Sequence, residues 1–188
     1  MNRVIPGLLI SLLLATPALA DKNQDKRDKV QKMSTEVLAR LYKEKPETKE
    51  LVKNAKGYAV FSNIGVNVFF VSAGGGNGLV HDNKSGADTY MNMGTAGIGL
   101  GLGVKDFRAV FVFHSRKALD NFVEYGWDFS GQADAAAKSG DKGDAGSVAA
   151  TVVNGVSIYQ LTENGLALQA TLQGTKYWKS KKLNASAE

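Results

Sequence analysis

The glycine-rich stretch "SAGGGNGLVHD", residues 72–82, is the first place where residue type and spacing suggest chemistry. It places four glycines within the five positions 74–78, and the backbone amides of such a run can cradle a phosphate. A P-loop requires G-x-x-x-x-G-K-[ST], which is absent, and a dinucleotide fingerprint requires a glycine where Leu79 stands. The stretch therefore predicts no nucleotide site. We expect a hairpin connection between two strands, in which Asn77 and Gly78 take positive φ.

Hydrolytic and metal-binding residues form no complete constellation in the sequence. "GVSIY" begins like a nucleophile elbow at Gly155 and Ser157, but Tyr159 occupies the place of the second glycine. The two histidines, His81 and His114, stand at the ends of predicted strands without acidic residues at a metal-ligand spacing, which favours structural roles. The chain contains no cysteine, which excludes disulfides, thiolate metal sites and a cysteine nucleophile. We expect a protein that is not an enzyme and that has no metal or cofactor.

The C-terminal segment "GTKYWKSKKLN", residues 174–184, interleaves lysines with Tyr177 and Trp178. This mixture is typical of a membrane interface, where rings lie at headgroup depth and cations meet phosphates. The other interpretation is a solvated tail whose aromatic rings pack on the folded domain. The residues of the segment leave both interpretations open.

Two helices and then a β-rich region are predicted to position these residues. Apolar residues recur at helical spacing over 25–45, which predicts an amphipathic helix that ends at Pro46. A short second helix follows, with Gly57 as its stop signal. The chain is therefore predicted to be helical over 25–56 and rich in strands over 57–184.

Glycines alternate with β-branched and aromatic residues after Gly57, which predicts a curled or barrel-like antiparallel β-sheet. Ser115 is expected to cap one inserted helix, "RKALDNFVEY", which Gly126 ends. The predicted fold class is α+β, with an N-terminal amphipathic helix pair and this inserted helix. The predicted strands are 58–62, 66–73, 77–82, 88–93, 95–104, 108–114, 127–136, 146–153, 155–161 and 165–174.

One predicted strand, "GTAGIGLGLGVKD", has alternating glycines and therefore one face without side chains. A bare face occurs where another element or a ligand approaches the backbone closely, or where a barrel bends. We expect a packed helix or a tight barrel corner, and the alternative is a groove that admits an acyl chain.

Residues 1–20, "MNRVIPGLLISLLLATPALA", have the pattern of a cleavable secretory signal: one arginine, an apolar run and small residues before Asp21. We expect export to the periplasm, a single mature domain over 21–188, and no lipoprotein anchor, since such an anchor needs a cysteine. The net charge of +5 is concentrated near the two ends of the chain. Lipid headgroups are the main polyanions outside the cytoplasm, so a lipid partner is favoured over a nucleic acid.

Five segments occur in the order that the SYLF domain family shows. They are "AKGYAVFSNIG", "FFVSAGGGNGLV", the alternating-glycine strand, "DFRAVFVFHSRKALDNF" and "VSIYQLTENGLALQATLQGTKYWK". The chain resembles this family over residues 25–184, and it looks like the exported bacterial branch that stands alone.

The resemblance implies a lipid-binding module. Bacterial members are expected to bind phospholipids, whereas eukaryotic members bind phosphoinositides and, in fungi, actin. Two departures matter: the chain lacks the cysteine of lipoprotein-like relatives, and it has Lys-Ser-Lys-Lys after the tryptophan where acidic residues are expected. The first argues against a lipid anchor, and the second favours attraction to anionic lipid.

These observations predict a non-enzymatic periplasmic protein that binds phospholipid at or near the cell-envelope membrane, with no nucleic acid or nucleotide as partner. The alternative is a structural or chaperone-like envelope protein that binds another protein through its sheet edge or glycine face. An enzyme with an unrecognised site is the third hypothesis. The predicted lipid contacts are six cations that meet phosphates and two rings that insert at the interface: Arg27, Lys29, Lys176, Lys179, Lys181, Lys182, Tyr177 and Trp178.

Overall fold

Four helices and nine strands make up the part of the chain that the computed structural model describes, which is residues 17–63, 75–95, 108–129, 151–162, 165–166 and 175–185. The helices are α1 (Pro17–Glu44), α2 (Thr48–Asn54), α3 (Arg116–Tyr125) and α4 (Lys181–Asn184). The strands are β1 (Gly57–Ser62), β2 (Gly75–Asp82), β3 (Asp88–Thr95), β4 (Arg108–Phe113), β5 (Trp127–Asp128), β6 (Thr151–Val153), β7 (Val156–Thr162), β8 (Gly165–Leu166) and β9 (Thr175–Lys179).

The nine strands form one antiparallel sheet in the order β5-β9-β3-β2-β1-β4-β7-β6, with β8 paired to β7. β1 lies near the middle, between β2 and β4. The sheet is open and curled, so the predicted α+β class with a curled antiparallel sheet is confirmed.

One face of the sheet, which we call the α3 face, is built from aromatic rings. Phe61 of β1, Phe111 of β4 and Tyr177 of β9 pack against Phe122 of α3. Their ring centroids lie between 4.6 and 6.0 Å apart in tilted and edge-on arrangements, which the quadrupoles of aromatic rings favour. This cluster holds α3 on the sheet.

The opposite face, which we call the α1 face, is aliphatic. Val60 of β1 and Val110 of β4 are fully buried beneath Val37 and Leu41 of α1, and Val52 of α2 joins the same cluster. Because strand residues alternate between faces, β4 is apolar on both. Phe111 and Phe113 of β4 pack under α3, the helix that follows this strand.

Three of the four helices, α1, α2 and α3, were predicted from the sequence, although the bounds of the first two differ; the short α4 was not predicted. α1 begins at Pro17, well before residue 25, and ends at Glu44 as the following proline predicts. α2 ends at Asn54, and Gly57 begins β1 instead of closing the helix. Residues 1–16 lie outside the described part of the chain, so the signal peptide stays a prediction.

The capping signals of α3 are confirmed. The Ser115 side chain accepts a hydrogen bond from the amide of Ala118 at 3.2 Å, and Gly126 follows the helix with a φ of 67°. A positive φ has no steric cost for glycine, and the Gly126 amide donates the last helical hydrogen bond to the Phe122 carbonyl at 2.9 Å.

The hairpin turn predicted at Asn77 and Gly78 is wrong, because both residues lie within β2 and pair with β3. Close packing explains the glycine at position 78: an added Cβ would lie 2.3 Å from the ring of Phe61. Gly78 therefore lets β2 pack closely against the Phe61 ring of β1, and it does not turn the chain.

The remaining strand predictions fall into three groups: those that match a strand, those that the structure describes in part, and those outside the described residues. The predictions 58–62, 77–82, 88–93, 108–114 and 155–161 correspond to β1, β2, β3, β4 and β7. The predicted strands 127–136, 146–153 and 165–174 are described only where β5, β6 and β8 lie. The predicted strand 66–73 and residues 96–104 of the alternating-glycine strand lie outside the described residues.

Gly86 and Gly126 both have a positive φ, of 71° and 67°, but their surroundings are packed very differently. An added Cβ on Gly86 meets nothing within 4 Å, whereas one on Gly126 would lie 2.0 Å from the carbonyl oxygen of Tyr177. Gly86→Ala should lower the free energy of unfolding by about 1 kcal/mol. Gly126→Ala should lower it by about 3 kcal/mol or more, because the ψ of −168° at Gly126 places it in a backbone region nearly restricted to glycine and because β9 must also move. Urea unfolding measures both losses, and equal losses would contradict this account.

The partly buried side chain of Tyr58 makes the free energy of unfolding depend on pH at high pH. Its ring stacks on His81 at 5.1 Å between centroids, and burial, followed by the charges of Asp88 and Tyr42, raises the pKa of Tyr58 to about 12. The folded state thus keeps the Tyr58 proton at a pH near 10, where the unfolded chain loses it. The free energy of unfolding therefore decreases as the pH rises from 10 towards 12. Urea midpoints should fall across that range, and less steeply for Tyr58→Phe; identical profiles would rule out this role.

Candidate functional site

β9 and α4 bring the lysine-rich C-terminal segment into the fold. β9 pairs with β3 on one side and with β5 on the other. The sequence prediction treated this segment as surface or tail and missed the strand. In the structure Thr175 and Tyr177 are buried and Lys176 and Trp178 are exposed, which is the alternation of a strand. The sequence carried a signal for this strand, because Lys176 stands between Thr175 and Tyr177.

Tyr177 points into the core, which corrects the prediction that its ring inserts at a membrane interface. Its side chain is 1% exposed, and its ring centroid lies 4.6 Å from that of Phe61 and 5.2 Å from that of Phe111. Burial raises the pKa of the Tyr177 hydroxyl well above its usual range. Because successive strand residues face opposite sides, the burial of Tyr177 turns Trp178 outward.

Trp178 lies on the α1 face with 41% of its surface exposed. Its ring covers Gly94, where an added Cβ would lie 3.0 Å from the indole Cη2. Asn77 of β2, Asn92 of β3 and Trp178 of β9 are register partners, so they form a row across three strands. The row presents two amides and an aromatic ring to the same side of the sheet.

A groove of about 430 Å³ lies over this row, between α1 and α4. We call it the lysine groove, and its lining residues are Lys26, Asn77, Asn92, Trp178, Lys179, Ser180, Lys181, Lys182 and Leu183. Among these described residues four are lysines and none is acidic. The arrangement can attract an anionic group electrostatically and offer a ring to an apolar neighbour.

α4 is held in place by contacts with β3. The side-chain oxygen of Asn184 accepts a hydrogen bond from the amide of Tyr90 at 2.9 Å, and its nitrogen donates to the Tyr90 carbonyl at 2.7 Å. Leu183 is 4% exposed and packs with Val30 and Leu79. These contacts set the position of Lys181 and Lys182 at the rim of the groove.

Arg27 also holds α4. Its Nε donates to the carbonyl of Leu183 at 2.9 Å, and its Nη2 donates to the carbonyl of Ala185 at 2.7 Å. A cation at the C-terminal end of a helix satisfies carbonyls that have no partner within the helix. Arg27 is therefore a positioning residue in this structure, which differs from the direct phosphate contact that the sequence predicted.

The other predicted cations lie in three different places: the lysine groove, a second groove beside α1, and an ion pair with Asp128. Lys179, Lys181 and Lys182 line the lysine groove, and Lys29 lines a different groove beside α1. Lys176 Nζ lies 2.8 Å from an Asp128 carboxylate oxygen, so it already has an ion pair. Sequence reasoning missed Lys26, which lies one helical turn before Val30 on α1 and could have been found from that spacing.

The two histidines have structural partners, as predicted. His81 Nδ1 lies 2.7 Å from an Asp88 carboxylate oxygen, and His114 Nε2 lies 2.8 Å from Ser157 Oγ. Ser157 is 7% exposed within β7. Within the described ranges, no three His, Asp or Glu side chains come together as metal ligands would.

None of the helices in the described part of the chain has the length and hydropathy needed to cross a membrane.

Comparisons with known proteins identify the family. Residues 94–187 match the sequence profile of the Ysc84 family, described as "Las17-binding protein actin regulator". The chain is also 32% identical over 164 residues to "Beta cell expansion factor A" of Aeromonas veronii. That alignment covers 87% of this chain and 61% of the relative, so the chain spans about three fifths of that protein's length. The profile covers half of the chain, and the chain belongs to the Ysc84 family, also called the SYLF family.

Proposed function

We propose that the chain binds anionic phospholipid surfaces through the lysine groove and performs no chemistry on them. One observation carries the proposal: Lys26, Lys179, Lys181 and Lys182 line the same groove as an exposed indole, and no acidic residue lines the groove among those described. Each cation near an anionic leaflet contributes about 1 kcal/mol, so four suffice for reversible association.

The position of Trp178 supports a membrane surface over a free anion. Tryptophan is enriched at the headgroup level of bilayers, because its ring is apolar and its N–H remains wet. The outer edge of the ring contacts Gly94, the ring lines the groove, and it does not fill the core. Docking would then place lysines on phosphates while the ring enters the interface.

The compartment belongs to the same proposal. The pattern of residues 1–20 supports export, and the proposed site of action is the periplasmic side of a cell-envelope membrane. A cationic surface would there meet phospholipid headgroups as its main polyanion.

Binding of a protein partner is the second candidate. A groove of about 500 Å³ between α3 and the β2–β3 hairpin is lined by Asp82, Asp120 and Glu124 and by one cation, Arg116, which pairs with Asp82 and Asp120. The three carboxylates outnumber that cation, and Tyr125 beside them is 81% exposed. An exposed aromatic side chain at an acidic rim suits a basic peptide. The family description, which names protein binding, supports this candidate only indirectly.

Vesicle co-sedimentation tests the proposed function. We expect the chain to bind vesicles containing phosphatidylglycerol at low salt and to bind more weakly as salt rises. Replacing Lys181 and Lys182 by Gln should weaken binding by about 2 kcal/mol, which is about 30-fold. The matched control replaces Lys49 and Lys53, which are exposed on α2, and should leave binding nearly unchanged.

Two results would contradict the phospholipid proposal. One is the absence of binding to both anionic and zwitterionic vesicles. The other is an equal loss of binding in the two double variants, which would indicate attraction by net charge alone. Capture of a basic peptide without vesicle binding would favour the second candidate.

The variant Arg27→Gln tests the positioning role of Arg27. It removes the hydrogen bonds to the Leu183 and Ala185 carbonyls, so amide hydrogen exchange should accelerate over 181–185 while the sheet core is unchanged. Vesicle binding should weaken as α4 loosens. Weaker binding with unchanged exchange over 181–185 would instead assign Arg27 a direct contact with phosphate.

A further inference from the structure

A second groove, of about 490 Å³, lies beside α1 at the ends of β1 and β4. We call it the Arg108 groove, and Lys29, Lys32, Met33 and Arg40 of α1 line it together with Ser62 and Arg108 of the sheet. It shares no lining residue with the lysine groove. Both grooves nevertheless follow one row of the sheet, because Ser62 is the register partner of Asn77 on one side and of Arg108 on the other.

Arg108 has an unusual environment. Its Nη1 is buried, and within the described part of the chain this nitrogen has no hydrogen-bond partner. Arg108 as a whole is half-buried, but the N–H groups of this nitrogen have lost water without gaining an acceptor, which is costly. An oxyanion in the groove would supply the missing acceptor.

The charges around the groove are mostly positive. Lys29, Lys32 and Arg40 join Arg108, and the carboxylate in the lining is that of the exposed Glu36, which lies 4.0 Å from Lys32 Nζ. Arg40 donates a hydrogen bond to the carbonyl of Thr162, which keeps its guanidinium beside the groove. Four cations facing one carboxylate attract an anion, and the planar guanidinium of Arg108 matches a carboxylate or phosphate.

The same groove has an apolar side. Val37, which is 3% exposed, and the partly buried Met33 belong to the aliphatic cluster of the α1 face. The volume falls within the range of about 300–1,000 Å³ that small-molecule clefts occupy. An anionic end next to an apolar wall suits a molecule with one charged head and one alkyl chain.

We propose that the Arg108 groove binds a single-chain amphiphile with a phosphate or carboxylate head. The head accepts hydrogen bonds from Arg108, and the first methylenes of the chain lie against Met33 and Val37. This inference goes beyond the proposed docking to a membrane surface, because it concerns a single soluble molecule and different side chains.

Isothermal titration calorimetry with octyl phosphate, kept below its micellar concentration and without vesicles, tests the inference. We expect saturable binding with one molecule per chain, and binding at least about tenfold weaker for inorganic phosphate and for octanol. Arg108→Gln should weaken octyl phosphate binding about tenfold or more. The matched control Arg116→Gln should not, since Arg116 pairs with Asp82 and Asp120 away from the groove.

A second pair of variants keeps the test decisive if Arg108→Gln fails to fold. Replacing Lys29 and Lys32, both exposed on α1, by Gln should weaken octyl phosphate binding about fivefold, and replacing Lys49 and Lys53 on α2 should not. Three results would overturn the inference: no saturable binding, equal affinity for octyl phosphate and inorganic phosphate, or unchanged affinity in the folded groove variants. Octanoate in place of octyl phosphate then decides whether the head is a carboxylate or a phosphate.

Discussion

Burial of β1 and β4 on both of their faces is the constraint on which the rest of the structure depends. Val60 and Phe61 are adjacent in β1, and Val110 and Phe111 are adjacent in β4; all four side chains are fully buried. The valines face α1 and the phenylalanines face α3, so the two strands require a helix on each side of the sheet. Each such side chain stabilises the fold by about 1.5–3 kcal/mol, which fixes where both helices lie.

The position of α1 in turn creates the two cationic grooves. α1 crosses one face of the sheet with Leu41 fully buried, and its lysines line both grooves alongside it. Below it, a row of register partners crosses six strands. These residues are Leu161, Arg108, Ser62, Asn77, Asn92 and Trp178. The row replaces the aliphatic core with mainly polar side chains, so the α1 face there lines the two grooves as well as packing against α1.

Membership of the SYLF family says more about the fold of this chain than about the ligand that it binds. The ligand proposals depend on side chains that the strand period distributes. Tyr177 and Trp178 are neighbours with similar chemistry, yet one completes an aromatic core and the other lies at the mouth of the lysine groove. Arg27 and Lys26 differ in the same way, because one holds α4 and the other faces the groove. A one-residue shift in the register of β9 would exchange the roles of Tyr177 and Trp178.

Local patterns in the sequence were sufficient for α1, α2 and α3, for the cap at Ser115 and for the strand predicted over 108–114, because each depends on residues close in the chain; the short α4 was not predicted. The lysine-rich C-terminal segment was also recognisable by composition. The tertiary structure alone decided that this segment forms β9 between β3 and β5, that Asn77 and Gly78 lie within a strand, and that Lys26 and Arg108 line grooves. These features depend on which strands pair and in what register, and pairing between distant residues is set by burial of the whole sheet and not by the sequence of any one segment.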